Sequence, residues 1–135
     1  MYSRILVPVV FDPDHTPDAA LEVAKAISSD DARVTILHVI EELPSYASRY
    51  VSGDFIEKSL EDVKARLNEI ANLVPGGEAI VVTGHSARSL LEWAETHGND
   101  CIIVSSHKPG VQDYFLGGTA ARVVRYAQCA VHVVR

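Results

Sequence analysis

Five short apolar runs alternate along the chain with segments whose apolar residues step by three and four, and this alternation constrains the fold more than any other feature. The runs are Arg4 to Val10, Arg33 to Ile40, Ala79 to Thr83, Cys101 to Ser105 and Ala130 to Val134. Their β-branched, uninterrupted character is that of strands covered on both faces, as in a parallel sheet. Between the first two, Thr16 reads as an N-cap, Pro17 and Asp18 as a first turn, and Ala20, Leu21, Ala24 and Ile27 as one helical face running to about Ser28. Glu41 to Gly53 is the longest irregular connection. Beyond it Ile56, Leu60, Val63, Leu67, Ile70 and Val74 mark a strongly amphipathic helix that Pro75-Gly76-Gly77 ends. Gly84-His85 reads as a turn and Ser86 as the cap of a helix carrying Leu90, Leu91, Trp93 and Ala94, with Trp93 in the core. Gly117-Gly118-Thr119 opens the last helix, with Ala120, Val123, Val124 and Ala127 on one side.

Strict alternation of this kind requires right-handed crossovers, hence an α/β fold: a five-stranded parallel sheet with helices on both faces, for which the order 3-2-1-4-5 is the expectation. A length of 135 residues with 47% hydrophobic content suits one domain, residues 1–135. The chain shows no internal repeat and no linker.

A formal net charge of −6 disfavours sequence-independent binding of nucleic acid through a broad basic face. That acidity is uneven, because 17 of the 18 acids precede Cys101 while Lys108, Arg122, Arg125 and Arg135 follow it. A small anionic ligand is therefore compatible with the last segment. No apolar run reaches about 18 residues, so no membrane span is expected. The opening apolar stretch turns acidic without a cleavage region, and a cytoplasmic location is the expectation. Cys101 and Cys129 lack metal or redox spacing and read as buried, reduced thiols.

In a sheet of this order the ligand crevice lies beyond the carboxyl ends of strands one and four, where the chain order reverses. The residues there are Val9-Val10-Phe11-Asp12 and Val104-Ser105-Ser106-His107-Lys108, the second loop being rich in donors. Gly117-Gly118-Thr119 adds the unpaired N–H groups and positive dipole of a helix start, to which a phosphate can come close because glycine carries no side chain. A plain turn with an N-cap accounts for those three residues taken alone; their nearness to the polar loop is what points to a ligand. There is no Gly-x-x-x-x-Gly-Lys-Ser/Thr loop, no Gly-x-Gly-x-x-Gly after strand one and no Gly-x-Ser-x-Gly elbow, and Asp12 and Asp14 only weakly mimic the paired acids of a receiver domain.

Ile5-Leu6-Val7-Pro8-Val9, Leu37-His38-Val39-Ile40, Ser105-Ser106-His107, Leu116-Gly117-Gly118-Thr119-Ala120-Ala121 and the tail from Val123 to Arg135 resemble, together and over the whole chain, the universal stress protein family. Leu43-Pro44-Ser45-Tyr46-Ala47-Ser48 and Ser106-His107-Lys108-Pro109 look most like its F and G branch. The resemblance implies a Rossmann-like, adenine nucleotide α-hydrolase-like fold and a pocket for ATP or AMP, with or without Mg2+. The family's phosphate signature, Gly-x2-Gly-x9-Gly-Ser/Thr, falls here on Ser105, Lys108 and Gly118-Thr119, so the last pair matches and both early glycines are replaced. Lys108 then meets a phosphate as a point charge, or is simply solvated. Val10 stands where the family usually has an aspartate for the adenosine part. The site implied comprises backbone groups of Pro8, Val9 and Val39, with Val10, Val104, Ser105, His107, Lys108, Gly117, Gly118, Thr119 and Ala120, and it includes no catalytic residue and no metal ligand.

Other polar residues have plainer accounts. His38 and His132 read as packed or edge residues, His85 and His97 as turn and helix-end residues, and His15 as solvated. Tyr46 and Tyr50 read as surface packing or a lid, and Arg122, one turn past Gly118, as decoration or a phosphate contact. Two functions follow: a stress-response regulator that binds an adenine nucleotide, with at most slow hydrolysis, or a dimeric interaction module of the same fold without nucleotide. An enzyme using Ser106 or His107 lacks a partner base. The apolar final strand, residues 130–135, is an edge that a second copy would cover, and the resemblance implies such a homodimer.

Overall fold

The computed structural model describes residues 1–12, 16–42, 45–50, 52–106 and 117–135. Its elements in chain order are β1 (Tyr2–Pro8), α1 (Asp18–Ile27), β2 (Ser28–Ile40), α2 (Ser45–Ser48), α3 (Gly53–Ala71), β3 (Gly77–Thr83), α4 (Ser86–Thr96), β4 (Cys101–Ser105), α5 (Gly118–Tyr126) and β5 (Ala130–Val134). All neighbouring strands are parallel, and the sheet order is β3-β2-β1-β4-β5, the order expected from the sequence.

The two-faced apolar strands divide into two cores by the period of two. Ile5, Val7, Val34, Ile36 and Ile103 pack with Leu21 and Ala24 of α1 and Leu67 and Ala71 of α3. On the other face Leu6, Leu37, Ile102 and Val104 meet Leu90 and Ala94 of α4 and Ala120 and Val123 of α5. Ile5, Leu6 and Val7 are consecutive and all fully buried, which only a strand sandwiched between helix layers achieves.

The element ends differ from the pattern-based expectations for identifiable reasons. β1 starts at Tyr2 instead of Arg4, because Asp100 accepts from the Ser3 and Arg4 N–H groups, both at 2.9 Å, and ties the strand's entry down. It ends at Pro8; Val9 still donates to Leu37 O at 2.8 Å, but Val10 is 58% exposed and has left the sheet. Thr16 is not the cap of α1: Pro17 holds that position in helical geometry without a side-chain bond, and Leu21 N donates to its carbonyl at 2.9 Å. Proline's fixed φ suits a helix start, where its missing N–H leaves nothing unpaired. β2 begins at Ser28, directly after α1, and so runs to 13 residues. The connection after β2 contains the short α2, and Ser52 caps α3, its hydroxyl accepting from Phe55 N at 3.2 Å. His85, not Ser86, is the cap residue of α4.

Gly76 takes φ +76°, and a Cβ there would lie 2.1 Å from Ala32 O. The turn into β3 thus accepts only glycine, and it presents Gly76 O to Val34 N at 3.0 Å. Trp93 is half-buried rather than a core residue, stacked on His97 with ring centroids 3.7 Å apart. Val124 is 44% exposed, since the sheet admits only the Ala120 and Val123 side of α5. Cys101 is buried and Cys129 half-buried, both as free thiols; burial pushes Cys101 up to about 11, helped by Cys129 and Asp100, and burial also raises Cys129. No described helix is long and apolar enough to cross a membrane.

Candidate functional site

A cleft of about 240 Å³ opens at the carboxyl ends of the strands, where β1 and β4 are neighbours and the chain order reverses. Its floor is apolar: Pro8, Val9, Leu37, Val39, Leu90 and Val104. Its walls come from the starts of three helices, Thr16, Pro17 and Ala20 at α1, Ser86 at α4, and Gly117 to Ala120 at α5. This convergence follows from the topology, because in a parallel α/β sheet every helix after a strand begins near that strand's carboxyl end.

The chemistry of the lining is therefore unusual in one respect. Among the described residues it contains no charged side chain, only the hydroxyls of Thr16, Ser86, Ser105, Ser106 and Thr119. Positive potential comes from the main chain, through the free N–H groups and dipoles of the helix starts. Gly117 caps α5 with no side-chain bond, and Ala121 N donates to its carbonyl at 2.9 Å. A Cβ added at Gly118 meets no described residue within 4 Å, so neither the described packing nor the backbone conformation requires glycine there. The space that a side chain would fill lies open over the first turn of the helix.

The loop beyond β1 is braced from outside the cleft. His38, half-buried on β2, approaches Val9 O with Nδ1 at 2.8 Å; as the carbonyl only accepts, that nitrogen carries the proton. Phe11 packs on the His38 ring with centroids 4.8 Å apart, and the Arg66 guanidinium lies 4.4 Å over Phe11. Asp12 lines the adjoining groove with Arg66 and Glu69, not the cleft, so it does not stand in for the missing acid at Val10. At the other rim Ser86 donates to Glu41 Oε1 at 3.1 Å.

Pro8, Val9, Val10, Val39, Val104, Ser105, Gly117, Gly118, Thr119 and Ala120 are brought together in this one cleft, whereas His107 and Lys108 lie outside the described residues. Sequence reasoning missed Thr16, Pro17, Ala20, Leu37, Ser86 and Leu90 as lining residues. Leu37 was readable, two positions before Val39 on the same strand face. Ser86 and Leu90 were not, since only the packing of α4 over β2 brings them there. Tyr46 and Tyr50 are 72% and 89% exposed and do not line the cleft. Arg122 is exposed and also outside the lining.

The universal stress protein family matches residues 1–135. Universal stress protein A homolog 2 of Coxiella burnetii is 36% identical over 141 residues, covering 99% of this chain and 95% of that protein. Universal stress protein G of Shigella flexneri is 28% identical over the full length of both. Among solved structures, that of MJ0577, a universal stress protein of Methanocaldococcus jannaschii, superposes with a TM-score of 0.80 at 28% identity, covering 99% of this chain and 96% of the other. The fold is also that of a universal stress protein in complex with cAMP, TM-score 0.67 at 20% identity, covering 99% and 97%. An Arabidopsis thaliana family protein with AMP bound shares it too, TM-score 0.64 at 17% identity, covering 98% and 90%. With the family matched along its whole length and the sheet order it requires, the chain belongs to the universal stress protein family.

Proposed function

We propose that this protein binds an adenine nucleotide, ATP or AMP, in the carboxyl-end cleft and serves as a stress-response regulator in the cytoplasm. The observation that carries the reading is the first turn of α5: N–H groups at the mouth of a cleft whose described lining carries no charge, with the Gly118 position left open among the described residues. In this reading the phosphates rest on the N–H groups of Gly118, Thr119 and Ala120 and the hydroxyls of Ser105 and Thr119, with His107 and Lys108 as further donors. The base occupies the apolar end beside Pro8, Val9 and Val39, where main-chain groups recognise it. Relatives of the same fold that hold cAMP and AMP support an adenine nucleotide over other anions. No carboxylate lines the described cleft to activate a water, so the site reads as one for binding, with or without Mg2+ on the phosphates, and hydrolysis is slow at most.

One observation favours a second reading, a dimeric interaction module without nucleotide: Val10 offers no side-chain hydrogen bond at the rim. Thermal melts with ATP, AMP, GTP and no ligand separate the two. A ligand at about 100 times its dissociation constant adds about 2.7 kcal/mol of stability. Stabilisation by ATP or AMP but not GTP is expected; no shift, with no nucleotide released from the purified protein in a mass spectrum, would leave the interaction module.

The homodimer belongs to the same proposal. Val131, Val133 and Val134 on the edge strand β5 are only half-buried, and beside them Val124 and Tyr126 of α5 are 44% and 53% exposed. An apolar edge of this kind invites pairing with its twin. Removing residues 131–135 should convert a dimer to a monomer in light scattering, and an unchanged mass would refute pairing through this strand.

A further inference from the structure

The opposite end of the sheet holds a second cleft, of about 590 Å³, between the amino ends of β1, β2 and β3 and the last turn of α4. It shares no residue with the first and plays no part in the reading above. Arg4 and Arg33 stand in register on neighbouring strands and so project from the same sheet face into it. Like charges at paired positions repel, and neither guanidinium forms an ion pair with a described residue. Arg4 donates through Nη1 to His97 O at 2.9 Å, which holds it at the rim.

Two lining residues also carry buried polar atoms without a hydrogen-bond partner, Trp93 Nε1 and Asn99 Oδ1. The amide of Asn99 cannot be turned to repair this, because its Nδ2 donates to Arg4 O at 3.2 Å and only a nitrogen can serve there. Both atoms are sealed from solvent, so they mark an imperfectly packed wall of the cleft rather than contacts for a ligand. Glu78 and Glu95 add negative charge to the same walls. A simple anion suits the arginines and meets these carboxylates; a simple cation suits the carboxylates and meets the arginines. Only a small molecule bearing both signs satisfies all of them.

We propose that this amino-end cleft binds a free α-amino acid, its carboxylate against Arg4 and Arg33 and its ammonium toward Glu78 and Glu95. Trp93 is the only tryptophan of the chain and lines this cleft, so its fluorescence and its indole ¹H–¹⁵N resonance report on a ligand there. The test is titration of the full-length protein with each common α-amino acid to about 10 mM, ample for a millimolar site. The same titration is run with the N-acetyl amides, with inorganic phosphate and with ATP. Saturable movement of the indole resonance by one amino acid or a related group is expected, with none from the capped forms, phosphate or ATP. Arg33→Gln and Glu78→Gln, both exposed, should each weaken binding about tenfold or more at an unchanged melting temperature. An indole resonance that no amino acid moves, equal movement by capped amino acids or phosphate, or full affinity in Arg33→Gln would each overturn the proposal.

Discussion

The two ends of one sheet solve opposite electrostatic problems. At the carboxyl end three helix starts converge on a lining with no charged side chain among the described residues, and the potential there is made by the main chain. At the amino end Arg4, Arg33, Glu78 and Glu95 line a cleft beside the last turn of α4, and side chains make the potential. A main-chain site is insensitive to most substitutions, because every residue has an N–H. Its weakness is steric, since any added side chain blocks it. A side-chain site has the reverse character, as each charge can be removed singly. The two glycines differ accordingly: a Cβ at Gly118 meets no described residue, while at Gly76, at the amino end, it would clash.

Those two glycines give the largest expected contrast. Gly76→Ala forces a Cβ to 2.1 Å from Ala32 O at φ +76° and should cost more than about 3 kcal/mol, read as a large fall in urea midpoint. Gly118→Ala should leave stability unchanged or raise it by about 0.5 kcal/mol, as glycine is a poor helix residue. Equal losses at both positions would erase the distinction between a packing glycine and a ligand glycine.

Asp100 sharpens the amino end on a smaller scale. Burial pushes its carboxyl up, but the N–H groups of Ser3 and Arg4 and the Ser3 hydroxyl, which donates at 3.0 Å, outweigh this and hold it below its ordinary value. A carboxyl depressed in the folded state stabilises above its unfolded pKa of about 3.9 and loses that contribution as pH falls further. Asp100→Ala should cost about 1–2 kcal/mol at pH 7 and Asp100→Asn less, because one acceptor oxygen survives. The gap between wild type and Asp100→Ala should close as denaturation is repeated below pH 4, and a gap independent of pH would refute the assignment. Nucleotide binding at the far end should be untouched in either variant.

The smallest effect is chemical. With its thiol at about 11, Cys101 is ionised to only about one part in a thousand at pH 8, so it should resist alkylation by iodoacetamide until the protein is unfolded. Rapid labelling in the native protein would show that the β4 entry opens.

What could be read from residues alone was whatever depends on periodicity. The parallel sheet, the two-sided burial of Ile5 to Val7 and the gathering of Val10, Ser105 and Gly118 at one end follow from alternation and the crossover rule, which by themselves leave more than one strand order open. Contacts across chain-distant elements were not legible. Asp100 lengthening β1, Ser86 reaching Glu41 and Trp93 stacking on His97 at the edge of the core all depend on how helices sit on the sheet. Thr16 failed as a cap for a local reason, the helical geometry already fixed at Pro17. The amino-end cleft left no sequence motif, because Arg4, Arg33, Glu78 and Asn99 come from four separate segments.

If a nucleotide phosphate rests on the open face of Gly118, a side chain there must block binding without costing stability. Calorimetric titration of ATP and AMP into wild type and Gly118→Val, with a thermal melt of each, tests it most directly. Wild type should bind, Gly118→Val should lose at least about tenfold in affinity, and both proteins should melt within a few degrees of each other. Equal affinity in the two proteins, or no heat of binding in either, would contradict it.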